Sequence, residues 1–170
     1  MNWDALGAIS EFVGAIAVVV TLVYLAIQVR QNTSALRSTA TQGAHDQAAA
    51  LYDLLSSDTS IADIFVRGLI SPDELTSEET ARFFSLSLAF MFRYQNWYLQ
   101  TRSGLIEKEL LESWARVLRQ LSGAPGFRRF WQQRAHIFAD EFVRYLDQGE
   151  ILSSEPDPNY RPLGTSPAAR

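Results

Sequence analysis

Between Leu6 and Ile27 the chain reads LGAISEFVGAIAVVVTLVYLAI, about 22 residues with a single charged side chain, Glu11. At 1.5 Å per residue a helix over this run reaches about 33 Å, enough to cover the hydrocarbon core of a bilayer. In that core a helix satisfies its own backbone, which an irregular chain cannot do. The run therefore predicts a single transmembrane helix, with residues 1–28 as a membrane anchor. A secretory signal peptide is the competing reading, but it opens with a positive segment, and no Lys or Arg precedes Arg30 here.

Charge around the run sets its direction. Arg30 and Arg37 follow it with no acid before Asp46, whereas Asp4 and Glu11 lie toward the other end. The positive-inside rule then predicts an outer N-terminus and a cytoplasmic C-terminal side. Trp3 and Tyr24 have the amphipathic rings expected of interfacial anchors.

At 100° per residue the anchor has two unlike faces. Ala5, Ile9, Phe12, Ile16, Val19, Val20, Val23 and Ile27 form a bulky, apolar face suited to lipid. Heptad steps collect Asp4, Glu11, Val18 and Leu25 at one position and Gly7, Gly14, Thr21 and Gln28 at the next. Small residues at such spacing let backbones approach closely, which drives helix association where lipid has removed the hydrophobic effect. Gly7, Glu11, Gly14, Val18, Thr21 and Gln28 are thus the candidate interface for self-association or for another membrane protein. Glu11 is the costly member, since a carboxylate at the bilayer centre costs on the order of 2.5–3.5 kcal/mol. Inside an oligomer it would form a carboxylate ring able to line a cation or proton path. Alternatively it lies near enough to Asp4 and the outer headgroups to stay hydrated, at a helix end whose dipole favours an acid.

Beyond the anchor the pattern stays helical. Leu36, Ala40, Ala44, Ala48, Leu51 and Leu55 form a narrow stripe, which either extends the self-associating seam or packs within its own domain. A break is expected over Ser56–Ser60, then a short helix over Ile61–Leu69 stopped by Gly68 and Pro72. Thr76 and Glu79 have capping-box spacing and open a helix from Ser77 to Arg102, with Gly104 as its stop. The stretch FFSLSLAFMFRYQNWYL inside it is apolar around much of its circumference. Arg82 and Arg93 bracket too short a run to span a bilayer, so this helix is expected to be a core element. Further helices are expected over Ile106–Leu121 and Phe127–Leu146, folded into an antiparallel pair by Gly123-Ala124-Pro125-Gly126. The expected fold is all-α: one transmembrane helix continuing into a cytoplasmic bundle of about four helices over 29–149, with a disordered Pro-rich tail over 150–170.

Composition closes several functions. There is no cysteine, so no disulfide, thiolate nucleophile or zinc-thiolate centre can form. A formal charge of -4 argues against a nucleic-acid partner. Lys108 is the lone lysine. Arg116, Arg119, Arg128, Arg129 and Arg134 occur between Ser113 and Ala139 with no acid and with Trp114, Phe127, Phe130, Trp131 and Phe138 among them. Such a surface near the inner leaflet could rest on anionic headgroups, with Arg30, Arg37, Arg128, Arg129 and Arg134 as candidate contacts. The plainer reading is an amphipathic helix with its arginines in water. His136 and Asp140 are spaced to share a helix face, and His45 adjoins Asp46, but one His with one carboxylate makes no metal site. No metal, cofactor or catalytic residue is expected.

The opening WDALGAISEFVGAIAVVVTLVYLAIQVRQNT resembles a group of short bacterial membrane proteins in Trp3, Gly7, Glu11, Gly14, Tyr24, Leu25, Gln28, Arg30, Gln31 and Asn32. The resemblance covers about the first fifth of the chain. It implies a bacterial inner-membrane location and brings no activity with it. The expected function is that of a non-enzymatic, membrane-anchored interaction protein, a homo-oligomer or an accessory subunit of a membrane complex. An ion or proton channel using Glu11 is the first alternative, and an enzyme with its site in the soluble helices is the second.

Overall fold

The computed structural model describes residues 3–149, 151 and 152, with only the backbone at 3–6 and 8–10. All regular structure among them is helical: α1 (Trp3–Ser57), α2 (Thr59–Ile70), α3 (Ser77–Arg102), α4 (Lys108–Ser122), α5 (Pro125–Arg134) and α6 (Asp140–Gln148). Contacts divide the chain into two compact units, Met1–Ala40 and Thr41–Arg170, so residues 29–40 group with the apolar N-terminal run.

The first unit is α1 alone. It is long and apolar enough to cross a membrane, and among the described residues it is the one helix that is. Its described side chains from Glu11 to Thr39 are exposed, Phe12 at 68%, Val20 at 61% and Val29 at 64%.

The second unit is a bundle assembled on α3. The expected capping box is present, with Thr76 Oγ1 accepting from the Glu79 N–H and Glu79 Oε2 accepting from the Thr76 N–H at 2.8 Å. The helix ends where Gly104 turns into the left-handed region at φ 73°, which glycine enters without a Cβ clash. Phe83, Ser87, Met91, Tyr94 and Trp97 form its buried stripe, so the apolar stretch is core as expected. Around it lie Ile64, Phe65 and Leu69 of α2, Leu111, Ala115 and Leu118 of α4, Phe127 and Phe130 of α5, and Phe142 and Leu146 of α6, all buried. In the Thr41–Ser57 section of α1, Ala44 and Leu51 are buried as well. This part of the alanine stripe packs within its own domain, whereas Leu36 in the first unit is exposed.

Two local expectations are corrected. The break over Ser56–Ser60 narrows to Asp58, which caps α2 by accepting from the Ser60 and Ile61 N–H groups. The single helix expected over Phe127–Leu146 is two, separated by a 3-10 turn over Ala135–Ile137 and extended backbone at Phe138 and Ala139. Tertiary packing is the cause. Phe138 leaves the helical path to bury itself against Phe92, Trp131 and Phe142, with ring centroids at 5.1, 5.5 and 6.0 Å. The Ala139 N–H, lost to the helical ladder, donates to Gln95 Oε1 of α3 at 2.9 Å. Among the described residues the bundle therefore has five further helices where about four were expected. Packing also runs to Ile151, which is buried and accepts a hydrogen bond from Ser122 Oγ; residues 150 and 153–170 of the expected tail lie outside the described residues.

α2 meets α5 through Gly126. A Cβ there would run into the backbone at Gly68 and Leu69, which cannot swing aside as a side chain could. Gly126→Ala is expected to destabilise the domain by about 1–3 kcal/mol, the usual cost of overpacking. Gly43, in the open part of α1, has no atom within 4 Å of the same position. Gly43→Ala is expected to stabilise by about 0.5–1 kcal/mol through helix propensity. Melting followed by near-ultraviolet circular dichroism of the aromatic core checks both.

Glu79 also ties α2 to α3. Arg67 donates to it at 2.5 Å and to Asp63 at 2.7 Å. The Arg67 hydrogen bond first, then those from Thr76, hold the Glu79 carboxyl at about 2 against an ordinary value of 4.5. A depressed carboxyl contributes stability that is fully present above the unfolded value and lost as pH falls toward the folded one. Wild type should therefore lose stability between about pH 4.5 and 2 more steeply than Glu79→Gln in pH-dependent denaturant titrations.

Candidate functional site

The candidate interface of the anchor lies on one side of α1. At 100° per residue Gly7, Glu11, Gly14, Val18, Thr21 and Gln28 occupy an arc of about 100°. All six are exposed, and a Cβ at Gly7 or Gly14 would meet nothing within 4 Å. The polar members are partly self-satisfied: Thr21 Oγ1 donates to the Ala17 carbonyl at 2.8 Å and Gln28 Nε2 to Tyr24 Oη at 2.6 Å. The seam thus offers close backbone approach more than free hydrogen-bonding groups.

The arginines of the acid-free stretch take different partners. Arg128 donates to the Gly123 carbonyl at 3.0 Å, Arg129 pairs with Asp73 at 2.7 Å, and Arg134 stacks over the Phe84 ring at 5.5 Å. An acid distant in sequence therefore meets the stretch that has none of its own. Arg30 and Arg37 are exposed in the first unit and form no ion pair among the described residues. His136 lies in the 3-10 turn and Asp140 opens α6, so the helix face they were expected to share does not exist. His45 sets its ring edge to face with Trp114 at 6.1 Å. No group of three or more metal-ligating side chains occurs among the described residues.

A cleft of about 520 Å³ opens between the C-terminal half of α3, α4 and the end of α6. The sequence supplied its arginines but not their setting. Arg116 and Arg119 stand three apart on α4, hence on one face. Across from them Tyr98 and Tyr145 stack at 4.5 Å, and Tyr145 Oη sits 3.5 Å from Tyr94 Oη. Burial first, then the Tyr145 hydroxyl, pushes the Tyr94 phenol above its ordinary value, opposed by the Arg119 charge. Tyr94 thus remains a neutral hydroxyl at physiological pH. Thr101 Oγ1, in the cleft wall, is buried with no hydrogen-bond partner among the described residues. Two other orphans lie elsewhere: Ser87 Oγ in the α3 core, and Trp97 Nε1 beside a pocket of about 150 Å³ that includes Leu51, Phe90 and Trp114.

No protein-family model, curated protein or solved structure matches the chain.

An unpartnered buried hydroxyl is a desolvation cost with no compensating bond. Thr101→Val keeps the shape and removes that cost, so the ligand-free domain is expected to gain about 1 kcal/mol in denaturant titration.

Proposed function

We propose that the protein is a membrane-anchored, non-enzymatic interaction protein of the bacterial inner membrane. α1 crosses the bilayer, with its N-terminus outside and the helical domain in the cytoplasm. The observation that carries this reading is the exposure of every described apolar side chain from Phe12 to Val29, around the whole helix. A continuous apolar surface of that kind is unstable in water, and a bilayer or partner helices relieve it. Arg30 and Arg37 beyond the run, against Glu11 near its start, support the orientation. The open approach at Gly7 and Gly14 supports association through the same helix, as a homo-oligomer or as a subunit of a larger membrane complex.

The chain is expected to remain with membranes through alkaline carbonate extraction. In nanodiscs it is expected to have a defined mass above that of the 19.1 kDa monomer, collapsing to the monomer in Gly14→Leu. Release by carbonate overturns the anchor. A monomer in both forms overturns self-association and leaves an accessory subunit that needs a different helix.

A further inference from the structure

Of the four cationic side chains lining the α3/α4/α6 cleft, two are occupied. Arg102 is paired with Glu141, and Lys108 faces Glu112 at 3.7 Å. Arg116 and Arg119 have no carboxylate partner among the described residues. Like charges three apart on a helix repel each other, and an anion between them reverses that cost. Beside them two hydroxyls have unfilled capacity. Thr101 Oγ1 has no partner, and the 3.5 Å from Tyr145 Oη to Tyr94 Oη is longer than an ordinary O–H···O bond. The other walls are apolar, supplied by the Tyr98 ring, Leu111, Ala115 and Ile151.

We propose that this cleft binds a small organic anion, its phosphate or carboxylate held by Arg116, Arg119 and the Thr101 hydroxyl and its apolar body laid against Tyr98, Leu111 and Ile151. Guanidinium groups suit these head groups because their donors match two oxygens at once. A volume of about 520 Å³ lies within the range of small-molecule sites. The inference is independent of the anchor's partner, since every residue named belongs to the second unit. The same chemistry is offered by a free metabolite and by a lipid phosphate.

The test uses the full chain in phosphatidylcholine nanodiscs, titrated calorimetrically with 2-naphthyl phosphate, inorganic phosphate and 2-naphthyl glucoside. Naphthyl phosphate is expected to bind at least about tenfold tighter than either of the other two, since only it satisfies both halves of the cleft. Arg116→Gln and Arg119→Gln should each weaken it about tenfold. Both side chains are exposed, so an unchanged aromatic circular dichroism spectrum verifies the fold. Thr101→Val should weaken binding while raising ligand-free stability, a combination that a purely structural role does not produce. Equal affinity for the glucoside, or an unchanged affinity in both Arg116→Gln and Arg119→Gln, overturns the proposal. Repeating the titration with one third phosphatidylglycerol at about 0.3 M salt, where long-range repulsion is screened, separates the sources. Competition identifies a lipid head group, and unchanged affinity identifies a soluble anion.

Discussion

The helical domain depends on the burial of one face of α3. Phe83, Met91, Tyr94 and Trp97 are each at most 3% exposed, and α2, α4 and α6 each close on some part of that stripe. Gly68 lets α2 come down onto Phe83, where a Cβ would strike the ring. Trp114 of α4 lies against Trp97 with centroids 3.9 Å apart, and Phe142 of α6 against Tyr94 at 5.9 Å. Packing of this kind is dominated by large aromatic surfaces, each contributing more buried area than an aliphatic side chain of similar position. The capping box at Thr76 and the Arg67–Glu79 pair mark where α3 begins and so define the register of the stripe.

The N-terminal stretch of α1 obeys the opposite rule. α2 to α6 each have an apolar side met by protein, whereas α1 between Phe12 and Val29 has apolar residues on all sides, exposed among the described residues. Its threonine hydroxyls are satisfied within the helix. Thr21 and Thr33 return their hydroxyl protons to carbonyls four residues back, at 2.8 and 2.9 Å, so neither exposes an unsatisfied donor. Glu11 is the exception, and its position near the N-terminal end of the run is where a charge is least costly. One chain thus treats its apolar surface in two ways, buried by its own helices over α2 to α6 and left exposed along α1 from Phe12 to Val29.

The arginines show how sequence spacing and spatial grouping diverge. Five fall within one stretch free of acid, yet folding sends them to separate tasks. Arg129 reaches Asp73 and Arg134 covers Phe84, while Arg116 and Arg119 share a cleft with tyrosines from α3 and α6. A surface pair such as Arg129–Asp73, with both partners well exposed, contributes little stability. Arg116 and Arg119 differ in lining a concavity beside unfilled hydroxyls, where an anion gains contacts that open solvent does not offer.

By itself the sequence determined the elements whose signals are local. The apolar run of α1, the Thr76–Glu79 cap and the glycine stop of α3 depend on neighbours within a few residues, and these are where they were expected. The all-α class followed from the same periodicity. Tertiary structure decided what depends on distant partners. The chain breaks at Phe138 because Phe92 offers that ring a burial site and Gln95 accepts the freed amide, residues more than forty positions away. For the same reason His136 and Asp140, spaced for one helix face, ended on different elements. The cleft assembles Tyr98, Thr101, Arg116, Arg119 and Tyr145 from three helices, and no periodicity within any one of them encodes that convergence.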